Sequence, residues 1–120
     1  MTRSPLLESL ELAQQLADLL SDHQAEDIVL MDISAVSTFT DIFVIATANN
    51  TRQLGALVVS LDRDLRDKGI RPRRMEGTPE SGWVLVDFGD AIVHVFSRDE
   101  RAYYDLEGLW SPGVSVVHIQ

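Results

Sequence analysis

Apolar residues recur along the chain with two different periods, and these periods predict its helices and strands. Between residues 5 and 22, leucine and alanine return every three or four positions, which predicts an amphipathic helix. A second stripe of leucine and valine predicts a helix from about Thr51 to Lys68, followed by Gly69, the residue type that favours a helix C-terminus. A third helix is predicted from Glu100 to about Trp110.

Short apolar runs between these helices predict the strands. Their approximate ranges are 28–31, 42–46, 73–75, 83–87 and 91–96. The last two runs flank the tight reversal Phe88-Gly89-Asp90, so they form a hairpin, the strongest local signal in the chain. Residues 114–119 alternate weakly and can pair with a sheet edge of this chain or of a neighbour.

The order of the elements, α, β, β, α, β, β, β, α, indicates the fold class. It predicts an α/β (α+β) domain, with a mixed sheet of about five strands flanked by helices. The segment from Ile42 to Met75 has the pattern of a βαβ crossover. A chain of 120 residues is long enough for one domain and too short for two, so residues 1–120 are expected to form a single domain.

The net charge of −9 bears on the choice of partner. Nucleic-acid affinity depends on Lys and Arg at phosphates, so direct RNA contact is not expected to dominate. An acidic surface suits a basic protein partner, although the charge can also serve solubility alone. No apolar run approaches the roughly 18 residues that span a bilayer, and no secretory signal is visible, so a cytoplasmic location is expected.

The chain shows no recognisable set of catalytic, metal-binding or cofactor-binding residues. It has no cysteine, and its three histidines, His23, His94 and His118, lack the spacing of a metal site. His94 lies inside a strand and is expected to be a hydrogen-bonded sheet residue. Neither a dinucleotide-binding nor a phosphate-binding glycine pattern is present.

Asp87 and Asp90 suggest an alternative function, in which the chain would be an enzyme. Paired carboxylates can hold the two metal ions of nucleotidyl transfer, which would make the chain a nucleotidyltransferase-like enzyme. Their spacing of three across a tight reversal does not place both side chains on one strand face. Asp90 beside Gly89 is most simply a turn residue.

Aromatic residues are concentrated in the C-terminal half. The cluster comprises Trp83, Phe88, Phe96, Tyr103, Tyr104 and Trp110. Bulky groups lie on two faces of the last predicted helix, so one face can enter the core while the other contacts a partner. Trp and Tyr are favoured anchors of protein interfaces, but the chemistry of the residues alone favours core packing on both faces.

Several sequence blocks together resemble one family, the Iojap-related ribosomal silencing factors. Residues 83–96 resemble the family's signature segment, and residues 101–110 match its Arg-x-x-Tyr-x-Leu-Glu-x-Leu-Trp pattern at every fixed position. Further matching blocks lie upstream, at residues 32–34, 40–47, 51–54 and 76–77. The resemblance covers residues 8–110 and leaves 111–120 as a C-terminal tail. Ala48, Asn49 and Asn50 depart from it, because the family usually has glycine and serine in this turn.

This resemblance implies that the protein acts by binding and catalyses no reaction. It implies a translational repressor that binds the large ribosomal subunit at the basic ribosomal protein fourteen and sterically blocks joining of the small subunit. It also implies a nucleotidyltransferase-like fold without the active site, and a homodimer when the protein is free. An assembly factor of the large subunit that uses the same site is the alternative.

By analogy with the family, the docking surface is expected on the hairpin and the last helix. The candidate residues are Trp83, Leu85, Asp87, Phe88, Asp90, Tyr104, Glu107 and Trp110. The acidic residues would meet basic groups of the partner, and the aromatic residues would anchor the contact. For each aromatic residue, core packing is the competing interpretation.

Overall fold

A computed structural model describes residues 5–110 and 114–119 and shows helices on both faces of one sheet. The helices are α1 (Pro5–Asp22), α2 (Thr51–Arg63), α3 (Arg98–Tyr104) and α4 (Leu106–Trp110). The strands are β1 (Glu26–Asp32), β2 (Ile42–Ala48), β3 (Arg74–Thr78), β4 (Trp83–Asp87), β5 (Ala91–Ser97) and β6 (Ser115–His118). Short 3-10 turns span Arg66–Lys68 and Pro79–Ser81. Within these ranges, no helix is long and apolar enough to cross a membrane.

The mixed sheet predicted from the sequence is confirmed, with six strands rather than about five. Among the described residues the strand order is β3-β4-β5-β2-β1-β6, and only β2 and β5 are parallel neighbours there. The additional strand is the weakly alternating tail, which pairs antiparallel with β1 from Val29 opposite His118 to Asp32 opposite Ser115. Strand β6 therefore covers the β1 edge of the chain's own sheet.

The connection from β2 through α2 to β3 passes over two other strands, β5 and β4, which the sequence did not predict. Strand β3 pairs with β4, and the β4–β5 hairpin lies between β2 and β3. The burial of the strands explains this order. Six of the seven residues of β5 are buried, which suits a central position, whereas all five residues of β3 are exposed, which suits an edge.

One face of the sheet is covered by α1 and α2. Leu16 and Leu20 of α1 and Leu57 and Leu61 of α2 are almost fully buried there. The turn before α2 does not need glycine, because Ala48 ends β2 and Asn50 has extended backbone angles. The Asn50 side chain accepts a hydrogen bond from the Gln53 amide and caps the helix.

Two predicted helices end differently from the sequence expectation. Helix α2 ends at Arg63, and the chain continues through a 3-10 turn that Gly69 closes at φ 76°. The last helix is broken at Asp105, which adopts a left-handed conformation with φ 44°. The Asp105 carboxylate then accepts the Gly108 amide and begins α4. Because α3 and α4 are short, they cover only part of the second face.

Candidate partner-binding surface

The second face of the sheet carries a partly exposed aromatic surface. In the β4–β5 register, Trp83 lies opposite Phe96 and Leu85 lies opposite His94. These pairs share one sheet face, because directly opposed residues in a sheet point the same way. Phe96 and His94 are buried, whereas Trp83 and Leu85 stay half-buried. Trp83 and Leu85 line a shallow groove together with Glu76 and Gly77 of the edge strand β3.

Trp83 is held in one orientation by three neighbours. Its indole Nε1 donates a hydrogen bond to Nδ1 of His94 over 3.1 Å. Its ring stacks on Phe96 with centroids 4.9 Å apart, and the ring of Tyr104 lies 4.6 Å away. Trp83 is therefore a large, oriented aromatic group at a solvent-facing position, which is the property of an interface anchor.

His94 supports this arrangement from inside the sheet. Burial lowers the pKa of His94 to about 4, so the imidazole is neutral near pH 7. A neutral ring that accepts at Nδ1 carries its proton on Nε2. Within the described part of the chain, that Nε2 has no hydrogen-bond partner. The expectation of a hydrogen-bonded sheet histidine is confirmed.

Trp110 forms the other end of the aromatic surface. It contacts Phe43 of β2 edge-to-face, with ring centroids 5.4 Å apart. The ring centroid of Phe39 lies 6.2 Å from that of Trp110 and 6.3 Å from that of Phe43, and the Phe39 side chain is largely exposed. Trp110 thus joins α4, the sheet and the loop after β1. Phe39 was not a sequence candidate, because a Ser- and Thr-rich loop gives no sign of a contact residue.

Glu107 forms a strong ion pair within the chain. Its two carboxylate oxygens accept hydrogen bonds from the Arg101 guanidinium at 2.7 and 3.0 Å. Arg101 also donates to the Asp27 carbonyl and to the Thr47 hydroxyl, at 2.6 and 2.8 Å, and its side chain is only 13% exposed. Arg101 therefore connects α3 and α4 to β1 and β2. The Glu107 carboxylate is engaged in this connection within the chain.

The carboxylate of Asp87 is also engaged inside the fold. One oxygen accepts the Gly89 amide at 2.7 Å and shapes the hairpin turn, while the other lies 3.7 Å from Nε of Arg74. Asp90 is exposed at the end of the hairpin, and its backbone carbonyl accepts the amides of Asp41 and Ile42. Among the described residues, no group of three or more His, Asp or Glu could hold a metal ion.

Phe88 does not lie on this surface. It is 9% exposed and belongs to the core beneath α1 and α2, on the opposite side of the sheet from Trp83. Successive side chains of an extended chain point to opposite faces of the sheet. Trp83, Leu85 and Asp87 therefore share one face, and Phe88 points to the other. We therefore define the aromatic face as Trp83, Leu85, Asp87, Tyr104, Glu107 and Trp110, with Asp90 at its hairpin end.

The comparisons with known proteins agree with this architecture. The family described as "Ribosomal silencing factor during starvation" matches residues 7–120. The chain is 39% identical over 106 residues to the ribosomal silencing factor RsfS of Halalkalibacterium halodurans, covering 88% of this chain and 91% of that protein. A crystal structure of a Chromobacterium violaceum protein superposes with a TM-score of 0.78 at 33% identity, covering 92% and 95% of the two chains.

A mouse protein named "Mitochondrial assembly of ribosomal large subunit protein 1" is 32% identical over 99 residues. The match covers 80% of this chain and 43% of the mouse protein. These similarities place the chain in a class of ribosomal regulatory proteins rather than in a class of enzymes. The chain belongs to the family of ribosomal silencing factors, the Iojap-related proteins that its sequence blocks indicated.

Proposed function

We propose that the protein represses translation by binding the large ribosomal subunit through the basic ribosomal protein fourteen. The bound protein blocks joining of the small subunit sterically, so the mechanism is competition and no bond is made or broken. Such a protein works in the cytoplasm, where ribosomes are. The observation that carries the proposal is the half-buried, oriented Trp83 on the aromatic face, in a chain of the silencing-factor family.

The aromatic face has the composition of an interface core. Trp83, Leu85 and Trp110 are half-buried, and Tyr104 is 48% exposed. Fully covering such side chains removes apolar area from water, at about 25 cal/mol per Å². Because Trp83 and Trp110 are already fixed by ring contacts, little side-chain freedom is lost on binding.

The net charge of the chain contributes more to the approach of the basic partner than to the affinity of the bound state. Two of the three candidate acidic residues, Asp87 and Glu107, have arginine neighbours within the chain. Of the three, only Asp90 is exposed, whereas Asp87 and Glu107 are half-buried. We therefore assign the net charge of −9 to long-range attraction of a basic partner and assign the affinity to the aromatic residues.

A direct test measures calorimetric binding to purified ribosomal protein fourteen, and separately to isolated large subunits. We expect saturable binding to both, with a negative heat-capacity change that reports burial of apolar surface. Binding to the subunit without binding to the isolated protein would move the site elsewhere on the subunit. Binding to neither would refute the proposal.

Assembly of the large subunit is the second candidate function, because the mouse relative is named for that process. Depletion of the protein followed by profiling of subunit precursors separates the two. Accumulated precursors indicate assembly, whereas normal subunits with excess joining indicate silencing. For the free protein we propose a homodimer, and sedimentation at several concentrations tests it.

A further inference from the structure

Basic residues are concentrated in one short segment of this acidic chain. Residues 65–75 contain five of the ten Lys and Arg residues and only one carboxylate, so this segment carries a charge of +4. The remaining 109 residues carry −13, since the whole chain carries −9. This separation of charge has no role in the contact proposed above, where the partner is itself basic.

The segment is held in a defined conformation between the end of α2 and the edge strand β3. Ile70 packs against the core, and its amide donates to the Leu65 carbonyl at 3.1 Å. Three residues later, the Arg73 amide donates to the Asp87 carbonyl at 2.7 Å. Pro72, between these two anchors, further limits the backbone. Arg71 and Arg73 are therefore presented from a fixed backbone.

Arg71 and Arg73 carry uncompensated charge at an exposed position. Of the carboxylates that the structure describes, none lies within ion-pair distance of either guanidinium, although Arg74 contacts Glu76 and Asp87. The Arg73 side chain extends over Gly89 at the hairpin turn, where an added Cβ would lie 3.0 Å from its Nη1. This places Arg73 at the hairpin turn, at one end of the aromatic face.

We propose that Arg71 and Arg73 contact phosphates of ribosomal RNA next to the protein partner. The inference rests on the proposed function, because RNA is the polyanion that a protein docked on the large subunit would meet. Guanidinium groups bind phosphate oxygens with paired hydrogen bonds, and their charge releases counterions from RNA. The acidic remainder of the chain is repelled by RNA, so the two contacts together fix the orientation of the docked protein.

The test compares Arg71→Gln/Arg73→Gln with the matched control Arg52→Gln/Arg63→Gln, which removes the same charge from exposed positions on α2. Binding to large subunits is measured over a range of salt concentrations. The first variant should bind roughly three- to tenfold more weakly, and its salt dependence should be shallower by about 0.7 to 0.9 per lost phosphate contact. The control should match the wild type in both respects. Equal losses in the two variants would overturn the proposal in favour of a net-charge effect.

Two further measurements separate this inference from the proposed function. Binding of the first variant to purified ribosomal protein fourteen should equal that of the wild type, and a loss there would overturn the RNA contact in favour of a protein contact. A photoactivatable cross-linker at position 71 should give a ribonuclease-sensitive adduct with large subunits. An adduct with protein alone would also overturn it. If the wild type fails to bind ribosomal protein fourteen but gives the RNA adduct, only the proposed protein partner is refuted.

Discussion

The indole Nε1 of Trp83 donates a hydrogen bond to the buried Nδ1 of His94, at 3.1 Å across the β4–β5 pair. One side of the indole is thereby tied to the sheet while the side chain stays half-exposed. A buried, neutral histidine is suited to this role, since a protonated ring would have no acceptor at Nδ1. Trp83 is therefore oriented by the fold while part of its ring stays accessible.

Replacing the anchor should weaken docking more than folding. We expect Trp83→Ala to reduce affinity for large subunits by about 2 kcal/mol or more, roughly thirtyfold, because central aromatic residues dominate interface energies. Equilibrium binding and circular dichroism together check this. Val59→Ala, at an exposed position of α2, is the matched control and should bind like the wild type. Unchanged binding of folded Trp83→Ala would remove Trp83 from the interface.

The buried imidazole of His94 predicts a pH dependence of stability. Its pKa is about 4 in the folded chain and 6.5 in the unfolded chain, so between these values the unfolded state binds more protons. The free energy of unfolding should therefore fall as the pH is lowered from about 6.5 to 4, by at most about 3 kcal/mol from this group. Urea titrations across that window measure the loss. A His94→Phe variant should lose this component, and an identical slope in the variant would contradict the assignment.

The hydrogen bonds of Arg101 should matter for stability. Arg101→Met leaves Glu107 without its partner and removes the bonds to Asp27 and Thr47. We expect a loss of about 2 to 3 kcal/mol in the free energy of unfolding. Arg98→Met is the control, because Arg98 pairs with Glu26 at a position that is 69% exposed, and it should cost less than about 1 kcal/mol. Similar losses in urea denaturation would show that Arg101 is an ordinary surface residue.

Two glycines with similar backbone angles should respond differently to alanine. Gly77 and Gly69 have φ values of 90° and 76°, but a Cβ at Gly77 would lie 2.2 Å from the Trp83 carbonyl oxygen, whereas Gly69 has open space. Gly77→Ala should destabilise by about 3 kcal/mol or more, from strain and overlap together. Gly69→Ala should cost about 1 to 2 kcal/mol, from strain alone. Thermal unfolding compares them, and equal costs would contradict the close approach of β3 and β4.

The sequence predicted those parts of the fold that depend on local pattern. The periodic stripes of α1 and α2, the β4–β5 hairpin and the tail strand β6 were all visible. Two features were not. The break at Asp105 depends on a left-handed residue that is not glycine, and the position of β3 at the far edge depends on which strands are most buried. Both are decided by the packing of the whole domain, which periodicity does not report.

The same limit applies to where the candidate partner-binding residues lie in the fold. Alternation along β4 separates Trp83 from Phe88, but alternation alone does not say which side faces the helices. Likewise, the neighbours of the acidic candidates come from distant parts of the fold. Arg101 reaches Glu107 across the break between α3 and α4, and Arg74 reaches Asp87 through the β3–β4 register. The family pattern includes Arg101 but does not indicate the role of its side chain.

The central claim is that the protein prevents subunit joining by occupying the large subunit. Light scattering of large and small subunits, mixed in the presence of increasing protein, tests it most directly. We expect joining to fall to completion with a midpoint that follows the affinity for large subunits, and to recover when excess purified ribosomal protein fourteen is added. Full joining at a protein concentration that saturates the large subunit would contradict the account.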